Sequence, residues 1–346
     1  MTPRACWISS AQPVPQLAPQ ILSAWKDTVT SRRTMLGLLD PAAADPAGHA
    51  HAATITDLEQ LAERYQTLHA TANPSALLNT VAAHVRMAIA ALGQEHTDKQ
   101  RRRRLLRNLA TVATLAGCLA YEDMGDALSG RAFYSVAADS ARETNDDQAA
   151  ATALGYTAQL AHSEGMTGAA LDHLAAALAH AERAPAVAAW LACIQATMRA
   201  DSGGHACAAQ ALHRAEPRPV VHQPAAQPHV LFDYGPAHWA AAIGHVHLRA
   251  SHHTAARDAL TAALDQLQPT ARRARVLVLI DLATAELHAG NISDACRHAT
   301  AAADLLHRAP YATGTAHLRV FRAVAARPIG ARALRVLDEH LAHLAA

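Results

Sequence analysis

Four stretches of this chain repeat one design. Each has a helix-forming segment, a turn at a small residue, and a second helical segment entered through a small residue five positions later. They read CLAYEDMGDALSGRAFYSVAADSA, AQLAHSEGMTGAALDHLAAALAHA, GHVHLRASHHTAARDALTAALDQL and ATAELHAGNISDACRHATAAADLL. A fifth, WLACIQATMRADSGGHACAAQALHRA, fits less closely. With turns placed at Gly125, Gly165, Asp201, Ser251 and Gly290, the units succeed one another after 40, 36, 50 and 39 residues. The long interval holds the Pro- and His-rich run EPRPVVHQPAAQPHVLFDYGP, residues 216–236, and the insertion is placed at 215–235. No unit of this kind can bury its apolar side alone, so neighbours must stack. The chain is 51% apolar but only 4% aromatic, which suits helices packed closely through small side chains. The expected fold is all-α.

The repeat resembles the tetratricopeptide pattern, whose period is about 34 residues. Trp190 takes its first aromatic place, Ile243-Gly244 its Leu-small pair and Tyr121 its second aromatic. Gly125, Gly165 and Gly290 take the turn, and Ala170, Ala206, Ala256 and Ala295 enter the second helix. Tyr134 is the later aromatic, followed in register by Ala137, Ala177, Ala263 and Ala302. The resemblance implies a right-handed superhelical array of helix hairpins over residues 55–346, ending in a helix pair that acts as a cap. Residues 1–54 form an N-terminal segment and linker, partly disordered, because AQPVPQLAPQ and DPAAADPAGHAHAA oppose regular structure.

From Asp57 onward the order of elements resembles the sensor half of actinobacterial helix-turn-helix regulators, where a DNA-binding domain precedes a tetratricopeptide array. The segment before the match contains no two-helix DNA reader. The resemblance therefore implies a cytoplasmic sensor or adaptor that acts on transcription or secondary metabolism through a bound peptide, small effector or partner protein. It implies no direct contact with nucleic acid. SRRTMLG, at 31–37, looks like a twin-arginine export signal, but Asp40 and Pro41 end its apolar run too soon. No stretch approaches the ~18 uninterrupted apolar residues of a membrane span.

The four arginines of TDKQRRRRLLRNLA raise nucleic acid as a partner. The chain as a whole, with 30 Lys+Arg against 29 Asp+Glu, has no field to attract it. Thr97 and Gln100 have capping-box spacing, so the run opens a helix and spreads around it instead of forming one stripe. Arg102 shares the face of Leu105, Leu106 and Leu109 and must snorkel past the core edge. Cations at a helix N-terminus call for acidic partners, and Glu59 or Glu63 is expected to supply them.

No enzyme motif is present: no G-x-S-x-G, phosphate loop, H-E-x-x-H or paired Cys/His constellation. Asp146-Asp147 reads as a helix cap. Five cysteines without a C-x-x-C pair read as free thiols in a reducing compartment, with Cys118, Cys193 and Cys296 inside apolar helical patterns. Histidine is abundant, at 23 residues. His245 and His247 nevertheless point about 200° apart on a helix and cannot chelate together. Neither metal nor cofactor is expected.

In tetratricopeptide arrays the first helix of each unit lines a groove. By register, the wall here is Glu122, Asp123, Gln159, His162, Gln195, Arg199, His238, His245 and Arg249. Such a polar trough of mixed sign suits a peptide or small polar effector. Phe232 and Tyr234 of the insertion are placed to fold over one end as a lid. The alternative is an enzyme using the groove, with Glu122 and Asp123 beside His162 in acid–base roles. A purely structural scaffold would instead assemble into homo-oligomers.

Overall fold

The computed structural model describes residues 55–69, 71–93, 98–215, 234–325 and 331–343. These are helical, with no β-strand among the described residues. The first helices are α1 (Ile55–His69), α2 (Pro74–Leu92) and α3 (Lys99–Cys118), which runs on as a π-helical turn, Leu119–Asp123. Next come α4 (Ala127–Glu143), α5 (Asp147–Ser163), α6 (Thr167–His180), α7 (Pro185–Asp201) and α8 (His205–Ala215). After the insertion follow α9 (Pro236–Arg249), α10 (His253–Gln266), α11 (Arg272–His288), α12 (Ile292–Arg308), α13 (Ala312–Ala325) and α14 (Ala331–His343).

The core is a relay of apolar clusters, each shared by neighbouring hairpins. Helix α7 gives Leu191, Ile194 and Met198 to one cluster with α5 and α6. Its other side gives Cys193, Ala196 and Ala200 to a second cluster with α8 and α9. Further clusters join α9–α10 to α11, and α11–α12 to α13–α14. Small residues set the spacing. Ala137, Ala177, Ala263 and Ala302 are wholly shielded from water, and a Cβ on Gly244 would run into the Leu260 side chain.

Six of the turns follow one rule. A residue with positive φ stands at Gly125, Asn145, Gly165, Gly203, Ser251 and Gly290. Five residues beyond each lies a buried small residue: Gly130, Ala150, Ala170, Ala208, Ala256 and Ala295. The third unit therefore departs from the expected register. Its turn is Gly203, with φ 79°, and Asp201 closes α7. Ala206 is exposed while Ala208 is buried. In ADSGG the backbone selected the glycine, since a left-handed turn costs a residue with a Cβ about 1–2 kcal/mol.

Local capping bears out the expected cap at Asp146 and moves the cap of α3 from Thr97 to Asp98. Asp146 accepts from the Ala149 N–H at 3.1 Å and caps α5. Helix α3 is capped by Asp98, which accepts from the Arg101 N–H at 3.3 Å; Thr97, the expected cap, lies outside the described residues. Two of the run's four arginines are ion-paired. Arg104 donates to Glu59 through Nε at 3.0 Å and through its terminal nitrogen at 2.5 Å. Arg102 reaches Glu143 from Nε at 3.0 Å. Helix α2, with a mean hydropathy of 1.4, is long and apolar enough to cross a membrane. Here it packs beneath α1 and α3, its buried His84 sharing a 2.7 Å hydrogen bond with Asn108.

The array also closes on itself. Helix α13 packs against the π-helical turn. Arg273, at the start of α11, binds Asp123 through two hydrogen bonds of 2.7 and 2.6 Å and reaches the His69 carbonyl at 3.4 Å. A crevice of about 20 Å³, room for one water, remains at this seam, between His69, Pro74, Arg273 and Tyr311.

Candidate functional site

The first helices of successive hairpins, α5, α7, α9 and α11, are laced together along one face by a histidine–aspartate ladder. His162 Nε2 meets Asp201 Oδ2 at 3.0 Å. Asp201 Oδ1 meets His245 Nε2 at 3.0 Å and lies 3.1 Å from Arg249 Nε. The other nitrogen of His245, Nδ1, meets Asp281 Oδ2 at 3.0 Å. His317, on α13, lies within electrostatic reach of Asp201, His245 and Asp281.

These contacts fix the charge states. Burial alone would lower the pKa of His245, but Asp281 and Asp201 outweigh it and push it up to about 10. Burial likewise works against ionised Asp201, yet hydrogen bonds from His162 and His245, with Arg249 nearby, hold it well below the usual carboxylate range. His317 is lowered by burial and by the neighbouring imidazolium, against a partial opposing pull from Asp281 and Asp201. With both ring N–H groups committed to carboxylates, His245 has no lone pair to act as a base or metal ligand. It serves as a cationic bolt between α7 and α11.

A second group forms at the seam. Asp123 is buried against Arg273, and His69 Nε2 lies 3.5 Å from Asp123 Oδ2. Beside it, Glu122 is pushed up to about 7 by burial and by Asp123, with Arg273 pulling the other way. Glu122 interacts electrostatically with Tyr121 of its own turn, Tyr156 of α5 and Tyr311 next to α13. Tyr156 stacks on Tyr134 with ring centroids 5.6 Å apart and tilts against Trp190 at 5.0 Å.

The nine residues expected along the wall therefore divide. His162, His245 and Arg249 come together on Asp201. Glu122 and Asp123 lie together at the seam. Gln159 is half-buried, and its Oε1 meets no hydrogen-bond donor. His238 sits 6.2 Å, ring to ring, from Tyr234. Gln195 turns to the second helix of its own hairpin, where Arg214 donates to its Oε1 at 2.6 Å, and Arg199 lies one turn along the same stripe. The expected turn at Asp201 lies two residues before the actual one at Gly203, and two residues rotate a helix by about 200°. With the turn at Gly203, Asp201 occupies the wall in their stead.

Other expectations resolve at the same level. His162 bonds to Asp201 and makes no hydrogen bond to Glu122 or Asp123, so the acid–base trio of the enzyme alternative is not assembled. Tyr234 packs on the α7–α8–α9 cluster, its hydroxyl 3.5 Å from Cys193 Sγ; Phe232 lies outside the described residues. Among the described residues no group of three or more His, Cys, Asp or Glu side chains could hold a metal ion. Asp281 and Arg273 escaped sequence reasoning, although a lone aspartate inside RVLVLIDLATAEL is itself a signal that something pairs with it. No protein-family model matches the chain, and no curated protein matches it.

Proposed function

We propose that this chain is a tetratricopeptide-type binding module, a sensor or adaptor that receives a polar guest on the face built by α5, α7, α9 and α11. In this reading the hairpins follow a right-handed superhelix, and the bound guest is a peptide or a small effector. The consequence is relayed to transcription or secondary metabolism in the cytoplasm through a partner protein, as the likeness to regulator sensor halves suggests. The observation that carries the reading is the ladder itself. Four consecutive first helices present polar side chains held at fixed positions by His162, Asp201, His245 and Asp281. A wall so preorganised loses little freedom when a guest docks. Catalysis is supported less, because His245 has both ring nitrogens on carboxylates.

Hydrogen–deuterium exchange on the full chain tests this, with and without pools of short peptides and polar metabolites. A guest on the wall should slow exchange in α5, α7 and α9 more than in the outer helices α6, α8 and α10. A panel that protects none of these helices, or only the outer ones, would remove the proposal.

A further inference from the structure

Resting on the binding-module reading, we infer that the α9–α10 turn is an acid-operated release, in which four histidines paired with one another open the turn when protonated and slacken the wall. Elsewhere several histidines sit against aspartates: His162 on Asp201, His180 on Asp147, His245 on Asp281 and His340 on Asp304. At this turn they meet each other. The rings of His247 and His252 lie 5.7 Å apart, centroid to centroid, across the end of α9. His253, the first residue of α10, stacks on His288 at the end of α11, at 5.1 Å and 12° from parallel. Because His252 and His253 are consecutive, the two pairs form one row from α9 to α11. None of the four makes a side-chain hydrogen bond or an ion pair with a carboxylate among the described residues.

The row is built to stay neutral. Carboxylates of the packed helices are engaged elsewhere: Asp201 of α7 with Arg249 and His245, Asp281 and Glu286 of α11 with His245 and Asn291, Asp258 of α10 with Arg257, and Asp294 of α12 with Arg297. The other imidazoles of these helices face away, His298 toward Arg297, Glu286 and Asp294, and His317 of α13 toward the ladder. His253 Nδ1 is shut from water and has no hydrogen-bond partner, so a proton there would go unsolvated. Burial, and then His252 beside His247, and His253 with Arg249 beside His288, hold His247 and His288 below the ordinary imidazole range. Groups that bind protons more readily in the open turn favour opening as pH falls through about 6.5. The turn is also strained, since Ser251 holds φ at 63°, a conformation unfavourable to a residue with a Cβ. His245 and Arg249, which hold Asp201, flank His247 on the same helix, so loosening the end of α9 loosens the wall.

The test is hydrogen–deuterium exchange of the full chain without any guest, at about pH 7.5 and about pH 5, with labelling times scaled for the intrinsic exchange rate. Protection of residues 246–256 should fall about tenfold between the two. The end of α7, which carries Asp201, should loosen with it, while the turn at Asn145 keeps its protection. The double variant His252→Gln, His288→Gln removes one exposed ring from each pair. It should flatten the pH effect and leave the pattern at pH 7.5 unchanged. His288→Glu, which offers His253 a carboxylate, should shrink the loss as well. No loss at acid pH, a loss shared equally by every turn, or a loss undiminished in both variants overturns the inference. Loosening that stops at residues 246–256 and spares α7 overturns its link to the wall. The module reading is decided separately, by whether guests protect the wall at neutral pH.

Discussion

His245 makes the stability of this fold depend on pH in a direction that can be worked out beforehand. Its ordinary pKa of 6.5 in the unfolded chain becomes about 10 in the fold. A group whose folded pKa is raised contributes fully below its unfolded value. Its contribution then fades as pH rises through the folded value, so the window runs from about 6.5 to 10. At about 1.4 kcal/mol per pH unit the gap corresponds to roughly 5 kcal/mol. Water reaches 22% of the side chain, and screening there brings the expected figure nearer about 3 kcal/mol. The perturbation is His245→Gln, which keeps one hydrogen bond and removes the titration. Urea unfolding of both proteins, followed by helix signal from pH 6 to 9.5, isolates the effect because other titrating groups cancel between them. The wild type should lead by about 3 kcal/mol at pH 6, and most of that lead should vanish by pH 9.5. A difference that stays flat, or widens as pH rises, would refute the imidazolium bolt.

Three further outcomes are expected. Gly244→Ala should cost about 1–3 kcal/mol of stability in urea unfolding, because its new methyl group collides with Leu260. Ser251→Gly should gain up to about 1 kcal/mol in the same assay, since Ser251 holds φ at 63° where glycine is unstrained. In the folded protein an iodoacetamide pulse read by peptide mass should modify exposed Cys207. Cys118, buried and with its thiol pushed well up by burial and by Glu122, should be spared until the chain unfolds.

The helical nature of the chain was legible because period, caps and small residues agreed. Asp146 at its cap, Glu59 on Arg104 and the buried alanines of the second helices all stand where the pattern put them. The wall was legible only as far as the register was right. In the third unit ADSGG offers several turn-forming residues in a row, and choosing Asp201 over Gly203 turned Gln195 and Arg199 toward the wrong side. The ladder was beyond reach for another reason: its partners lie 36 to 44 residues apart, and pairings at that distance are decided by how hairpins stack. The same holds for Arg273 and Asp123, 150 residues apart.

The seam has a consequence for how the molecule comes apart. A stack of repeats with two loose ends frays from either one, and each unit leans only on its neighbours. Here α13 rests on the turn after α3, and Arg273 fastens Asp123, so hairpins far apart in the chain brace each other. Severing that one fastening, as Asp123→Asn would, should split a single unfolding transition into staggered ones, the outermost hairpins melting first.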